Sequence, residues 1–247
     1  GFEFNLLPQV IELLKNHENE LTFQGLFTHY AGAESKANDF RISKQTSLFN
    51  QSLRLLTENG LSPKYHHTAC SAVLLNYPDS PGNMVRVGIL QYGFWPNKET
   101  HIRYYGEKTN NPDALRRIIK WKTKVMAIKE VKKGNFVGYG TSFLAHRNMK
   151  LAILPVGYSL GYSRKLSNIG SVLINGKDAP VAGTVNMNCL IVDITKCGKV
   201  EKGDEVVLVG TQNKREITVG SFCDMSNLLN YEMLTRLPQH IPRIIVP

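Results

Sequence analysis

Paired cysteines, long apolar runs and clustered metal ligands are all missing from this 247-residue chain. Its four cysteines, Cys70, Cys189, Cys197 and Cys223, show no short paired spacing. That argues against a zinc knuckle or a redox CxxC pair and predicts reduced thiols and a cytoplasmic location. Asn50-Gln51-Ser52 is then a chance match to a glycosylation triplet. No apolar stretch approaches the roughly 18 residues that span a bilayer, so no membrane partner is expected. Acidic residues are scarce: 20 Asp and Glu stand against 30 Lys and Arg, a net charge of +10. Such an excess raises nucleic acid as a partner. The densest basic stretch, RRIIKWKTKVMAIKEVKK at 116–133, instead alternates lysines with apolar residues like a strand with one solvated face. No basic run carries stacking aromatics, and nucleic acid is not expected.

What is present reads as a globular protein, with 42% hydrophobic and 20% charged residues. From residue 1 to about 112 the pattern is helix, strand, helix, strand. Leu6, Val10, Leu13 and Leu14 share a helical face, and LTFQGLF (21–27) is a short apolar run before Thr28-His29. A helix is predicted from Ser43 to Asn59, stopped by Gly60. Tyr65 to Thr68 and Met84 to Leu90 read as further strands. Strands alternating with helices predict parallel pairing. From about 120 the chain changes to short strands: WKTKVMAIKEV, MKLAILPV, SVLIN, LIVDI and DEVVLVG. Asn175-Gly176 and Lys202-Gly203-Asp204 mark turns between them. A mostly antiparallel β domain follows, with one late helix from Val219 to Asn230. The boundary is expected in the polar insert at 107–113, giving domains 1–115 and 116–247.

Several segments carry candidate chemistry. Gly138-Tyr139-Gly140 and Gly157-Tyr158 place phenols at turns where glycine supplies backbone freedom. Taken alone, Tyr139 reads as structural, and Arg86, in MVRVGI, reads equally well as a surface ion-pair residue or a site residue. The adjacent histidines of HHTACSA would suit a metal, but no further ligand cluster supports one, and no metal is expected. Gly157-Tyr158-Ser159-Leu160-Gly161 satisfies G-x-S-x-G, the nucleophile elbow of serine hydrolases. Asp193 or Asp224 and His240 follow in the right chain order. The elbow also needs a helix after the serine, where this chain reads YSRKLSNIGS.

In their order and intervals, GYGTSFLA, PVGYSLGYSR, INGKDAPVAG and VNMN resemble the carboxy-terminal half of a pyridoxal-phosphate-dependent alanine racemase of fold type III. The likeness extends from THY at 28–30 to IPRIIV at the end. It implies the second half of a (β/α)8 barrel followed by a mostly antiparallel β domain, an α/β plus all-β chain. It also implies interconversion of L- and D-alanine for peptidoglycan precursors, in a head-to-tail homodimer whose active sites are shared between subunits.

By this resemblance Tyr139 is the acid/base on one face of the substrate, in a network with His29 and Arg86. A phenol, with an ordinary pKa of about 10, needs such positive charge nearby to act as a base. Arg86 would also donate to the pyridine nitrogen of pyridoxal 5'-phosphate. Ser71, with the backbone amides of Gly88 and Ile89 and the hydroxyl of Tyr231, would hold the cofactor phosphate. His67 matches a family histidine shortly before that serine, whereas Cys70 stands where asparagine is common. Met187 would offer a backbone amide, and Tyr158 a hydroxyl, to the substrate carboxylate. Asn188 occupies a position more often aspartate, and GYSLG replaces the commoner GYADG. Both changes make substrate access less acidic.

The resemblance implies a second base, the cofactor lysine of the first barrel strand, and no lysine here sits in the needed context. A closed barrel takes about 250 residues, against roughly 110 here. GFEFNLLPQVIELL has neither a basic leader nor a cleavage site, so no signal peptide is expected. Its opening on glycine predicts an internal cut. A missing amino-terminal segment is therefore expected, with the 247 residues inactive alone. The other readings are a lysine-free regulatory relative binding a phosphate ligand and, more remotely, a serine hydrolase using Ser159.

Overall fold

The computed structural model describes residues 1–106, 113–226 and 230–246, and the chain divides into two compact units, Gly1–Arg117 and Ile118–Pro247. Of the polar insert at 107–113, only Asp113 lies among the described residues.

In the first unit, α1 (Leu7–Asn16) has a proline in its first turn, where a missing N–H breaks no helical bond. Its Leu7 and Ile11 pack with Leu56. β1 (Gly25–Phe27) is shorter than the apolar run that announced it, and α2 (Asp39–Glu58) begins four residues before its predicted start. β2 (Tyr65–His67) pairs with β1 in parallel, Phe27 facing His67, so α2 is the crossover helix that parallel strands require. At Gly25 a Cβ would sit 2.6 Å from the Tyr65 carbonyl oxygen, so this close pairing needs glycine. α3 (Ser71–Asn76) and α4 (Lys98–Tyr105) complete the unit. Tyr30, Ile42, Ala69 and Val73 form its second apolar cluster.

The strand expected from Met84 to Leu90 is absent. Arg86 N–H donates to Ala69 O at 2.9 Å, without a continuing ladder. Gly88, at φ −112° and ψ −91°, then turns the chain into a 3-10 helix over Ile89–Tyr92.

The second unit contains β3 (Trp121–Lys124), β4 (Ala127–Val131), β5 (Met149–Leu154), β6 (Ser171–Ile174), β7 (Lys177–Pro180), β8 (Leu190–Asp193), β9 (Glu205–Gln212) and β10 (Arg215–Ile217). One antiparallel sheet runs β10-β9-β6-β7 with β3 also on β9; another runs β4-β5-β8. WKTKVMAIKEV, read as one continuous stretch, therefore divides between sheets. Val125 N–H goes to Asp204 O and Met126 N–H to Ile153 O, so neighbouring residues commit to different partners. Asn175 (φ 53°) and Gly176 (φ 70°) join β6 to β7 in a two-residue turn with both residues left-handed, the geometry that favours Asn-Gly.

α5 (Val219–Ser226) covers most of the late helix expected from Val219 to Asn230, α6 (Asn230–Arg236) begins at its last residue, and 227–229 lie outside the described residues. Leu173, Leu190, Val192, Val207 and Leu208 are fully buried. Trp121, Tyr162 and Phe222 form an aromatic trio with ring centroids 5.3 to 6.1 Å apart, tying β3 to α5. No helix among the described residues is long and apolar enough to cross a membrane.

Candidate functional site

The parallel register of β1 and β2 places Thr28-His29 beside Thr68, just past the ends of the two strands. Arg86 inserts its guanidinium there. Nη1 lies 2.6 Å from His67 Nδ1, and Nη2 donates to Thr28 O at 3.2 Å and Thr68 O at 3.1 Å. Nη2 also lies 3.3 Å from His29 Nδ1. A guanidinium has donors only, so Nδ1 of each histidine must be the acceptor, which leaves Nε2 of a neutral ring to carry the proton. Burial and the neighbouring Arg86 charge hold the His67 pKa below its ordinary 6.5, which favours that neutral state. Phe27 stacks on His67 at 5.1 Å, with the Arg86 guanidinium 5.5 Å from its ring centroid. The structure thus brings His29, His67 and Arg86 together.

Phe27 and the Thr28 and Thr68 carbonyls were not anticipated as parts of this cluster. Their signal was available in the two strand-end threonines of THY and HHT, once parallel pairing is assumed.

Three residues after Thr68, Ser71 begins α3 and is buried, and its Oγ accepts from Gly88 N–H at 3.0 Å. Ser71 and Gly88, both expected beside a phosphate, are therefore adjacent, and here the Gly88 N–H donates to the serine. Accepting that bond leaves the Ser71 hydroxyl proton for another acceptor. A Cβ built on Gly88 would meet nothing within 4 Å, so the space beside this pair is open. Ile89 is buried and opens the following 3-10 helix. Cys70 is the α3 N-cap and makes no side-chain capping bond, which asparagine would suit better.

In the second unit Tyr139 stands between Gly138 (φ 77°) and Gly140 (φ 76°), and it is 77% exposed. Its carbonyl accepts from Thr184 Oγ1 at 3.3 Å, and Thr184 Oγ1 lies 2.8 Å from Ser142 Oγ. Asn168 extends this anchor, donating to Ser142 O and accepting from Gly183 N–H. The backbone is held while the phenol faces solvent. Tyr231 lies on α6, also half-exposed, and belongs to this second unit with Tyr139.

Tyr158, Met187 and Asn188 are brought together. Tyr158 N–H donates to Asn186 O at 3.1 Å, and Ser159 N–H to Met187 O at 3.0 Å. A side chain at Gly157 would overlap the carbonyls of Asn186 and Met187, so this crossing admits only glycine. Beside Tyr158 a cavity of about 490 Å³ is lined by Gly161, Ser163, Arg164, Lys165 and Arg236.

The hydrolase alternative is overturned here. Ser159 lies in a 3-10 turn, Tyr158–Leu160, that left-handed Gly161 (φ 98°) ends, with no α-helix following. Its hydroxyl points at Met187 O and Asn188 Oδ1, not at an imidazole. Asp193 binds Arg147 and Thr195, while the Asp224 side chain lies outside the described set. Among the described residues no group of three His, Cys, Asp or Glu is placed to hold a metal ion.

Known proteins match both units. The family models described as "Alanine racemase, N-terminal domain" and "Alanine racemase, C-terminal domain" match residues 1–96 and 118–245. Alanine racemase of Carboxydothermus hydrogenoformans is 35% identical over 247 residues, covering 100% of this chain and 64% of that protein. The Halothermothrix orenii alanine racemase is 34% identical over 228 residues, 92% of this chain and 58% of its own length. The crystal structure of the Bacillus anthracis alanine racemase with bound L-Ala-P superposes with a TM-score of 0.88 at 30% identity, covering 100% of this chain and 61% of that one. The chain thus spans about three-fifths of the length of these relatives.

Proposed function

The chain belongs to the alanine racemase family, and we propose on that premise that it supplies much of the active site of an L-/D-alanine racemase using pyridoxal 5'-phosphate. Its product would be D-alanine for peptidoglycan precursors. The carrying observation is the Arg86 cluster with His67, His29 and two strand-end carbonyls, with the Ser71–Gly88 contact a few residues further along the same segments. These residues fit the cofactor. Open space at Gly88 and an undirected Ser71 proton suit a phosphate. A guanidinium suits an unprotonated pyridine nitrogen, because it donates and does not give up its proton.

Ser71, Tyr231 and the backbone amides of Gly88 and Ile89 would hold the phosphate, and Arg86 would hold the ring nitrogen. When bound, the cofactor supplies the electron sink that acidifies the substrate α-proton. His67 stays neutral and fixes the guanidinium, while His29 shares its other nitrogen. Tyr139 holds or moves the proton on one face of the substrate Cα. Met187 and Tyr158 orient the substrate carboxylate. We assign Tyr139, Tyr158 and Met187 to the site of a second copy, in a head-to-tail homodimer. The proton on the opposite face needs the family's cofactor lysine, which none of these lysines matches in sequence context. The 247 residues alone are therefore inactive on this reading.

Two measurements test it. Pyridoxal phosphate titrated into the chain should bind, followed by absorbance, and Arg86→Ala or Ser71→Ala should weaken binding about tenfold or more, each removing a charged or buried hydrogen bond. D-alanine formation from L-alanine should be undetectable with the mass-verified chain. Turnover would refute the inactivity, and no cofactor binding would count against the site.

A further inference from the structure

We propose that Ser159 is a positioning residue for carboxylate recognition and that it makes Asn188 a neutral donor to the carboxylate of a small amino acid; this rests on the racemase reading above. The role of the Met187 amide belongs to that reading, whereas the parts of Ser159 and Asn188 come from the geometry of this chain.

Two segments, 157–160 and 186–189, cross at the steric limit, since nothing larger than glycine fits at 157. Asn186 N–H closes its own turn onto Cys189 O at 3.0 Å. Into this crossing Ser159 sends its hydroxyl, 2.7 Å from Met187 O and 3.0 Å from Asn188 Oδ1. One proton is shared by two oxygens, one of the backbone and one of the side chain. The Asn188 carboxamide sits with its oxygen toward the serine, so Nδ2 and both its protons face away from it.

Among the described residues, neither Met187 N–H nor Asn188 Nδ2 has an acceptor, and both residues are exposed. Two unpaired neutral donors therefore share one turn, next to the Tyr158 ring. The Arg164 guanidinium, 6.0 Å from that ring centroid, adds positive potential. Two donors on adjacent residues match the two oxygens of a carboxylate. An aspartate at 188 would present only acceptors, to Ser159 and ligand alike. The serine at 159 and the asparagine at 188 thus work as a pair, with a donor where an acid was expected at 188.

The test titrates the 247-residue chain with propionate, and separately with inorganic phosphate, while NMR follows the Met187 amide and the Asn188 side-chain NH2. Propionate should move both signals. Ser159→Ala should weaken propionate binding about five- to tenfold, the worth of roughly one hydrogen bond. Ser159→Thr, which keeps the hydroxyl, should stay within about twofold. Asn188→Asp should weaken binding at least as much as Ser159→Ala. Unchanged Val172 and Leu208 signals in each variant exclude general unfolding.

Propionate that moves neither signal, a Ser159→Ala variant that titrates like the parent, or a stronger response to phosphate would each overturn the proposal. Cofactor binding is read separately, by pyridoxal phosphate absorbance. Loss of that binding with an intact propionate response indicts the racemase reading, and the reverse pattern indicts this one.

Discussion

Among the described residues of 1–117 the only paired strands are β1 and β2, three residues each, whereas those of 118–247 hold eight strands in two antiparallel sheets. Large apolar side chains such as Phe2, Phe27 and Phe40 are exposed in the first unit, and most of the deeply buried ones belong to the second. Charge divides just as unevenly: residues 1–117 carry 12 Lys and Arg against 11 Asp and Glu, and 118–247 carry 18 against nine. The two units also hold their candidate groups differently. Arg86 is fixed by side-chain bonds to carbonyls and imidazoles, while Tyr158 and Met187 are fixed by backbone bonds across a crossing too tight for a methyl group. Positioning through side chains responds to protonation. Positioning through backbone responds to packing.

The sharpest way to break this comparison is through the cores. Leu173→Ala, in the fully buried centre of β6, should cost about 2–5 kcal/mol of second-unit stability. Leu56→Ala, in the smaller Leu7–Ile11–Leu56 cluster, should cost less. Each unit has its own tryptophan, Trp95 or Trp121, so urea unfolding of Trp→Phe single-tryptophan backgrounds reports them separately. A larger loss from Leu56→Ala would invert the contrast.

A smaller effect should appear on acidification. The folded His67 pKa lies below its unfolded value near 6.5, so the unfolded chain binds the proton more readily. Its contribution to stability is complete above that unfolded value and is lost as pH falls through it toward the folded pKa. The Trp95-reported transition should weaken between pH 7.5 and 5.5 in the parent and less so in His67→Asn. Equal slopes would place the acid sensitivity elsewhere.

The smallest effect belongs to the exposed Lys122–Glu205 pair, at 2.8 Å. Lys122→Met should change stability by about 0.5 kcal/mol or less. Hydrogen bonding to Lys122 lowers the Glu205 pKa, so the variant should titrate nearer the ordinary value of 4.5, readable by carbon NMR.

Local chemistry explains which elements were legible in advance. Asn175-Gly176 announced its turn because few other residues accept two successive left-handed conformations. Parallel pairing of β1 and β2 followed from an intervening helix. The division of WKTKVMAIKEV did not, since its alternation is continuous and the break is imposed by the distant carbonyls of Asp204 and Ile153. Met84 to Leu90 has strand-like residues, yet Gly88 diverts it and no ladder partner is present among the described residues. Of the candidate site, the side chains His29, His67 and Arg86 were readable as residue types. The Thr28 and Thr68 carbonyls that hold them are backbone groups, locatable only once the two strand ends are paired in parallel. Ser159 was visible as part of a hydrolase-like string, but its direction depends on Met187 and Asn188, about 30 residues further along.

The pairing of β3 with β9 has a consequence for biosynthesis. Trp121 meets Val209, about 90 residues later, and Phe222 later still. Such distant pairing is slow, because a long loop must close before any contact rewards it. On the ribosome, the lysine-rich strand and its indole wait unpartnered until most of the unit has been translated. A pause or truncation before residue 205 would leave that strand as a sticky edge, open to chaperones or to aggregation.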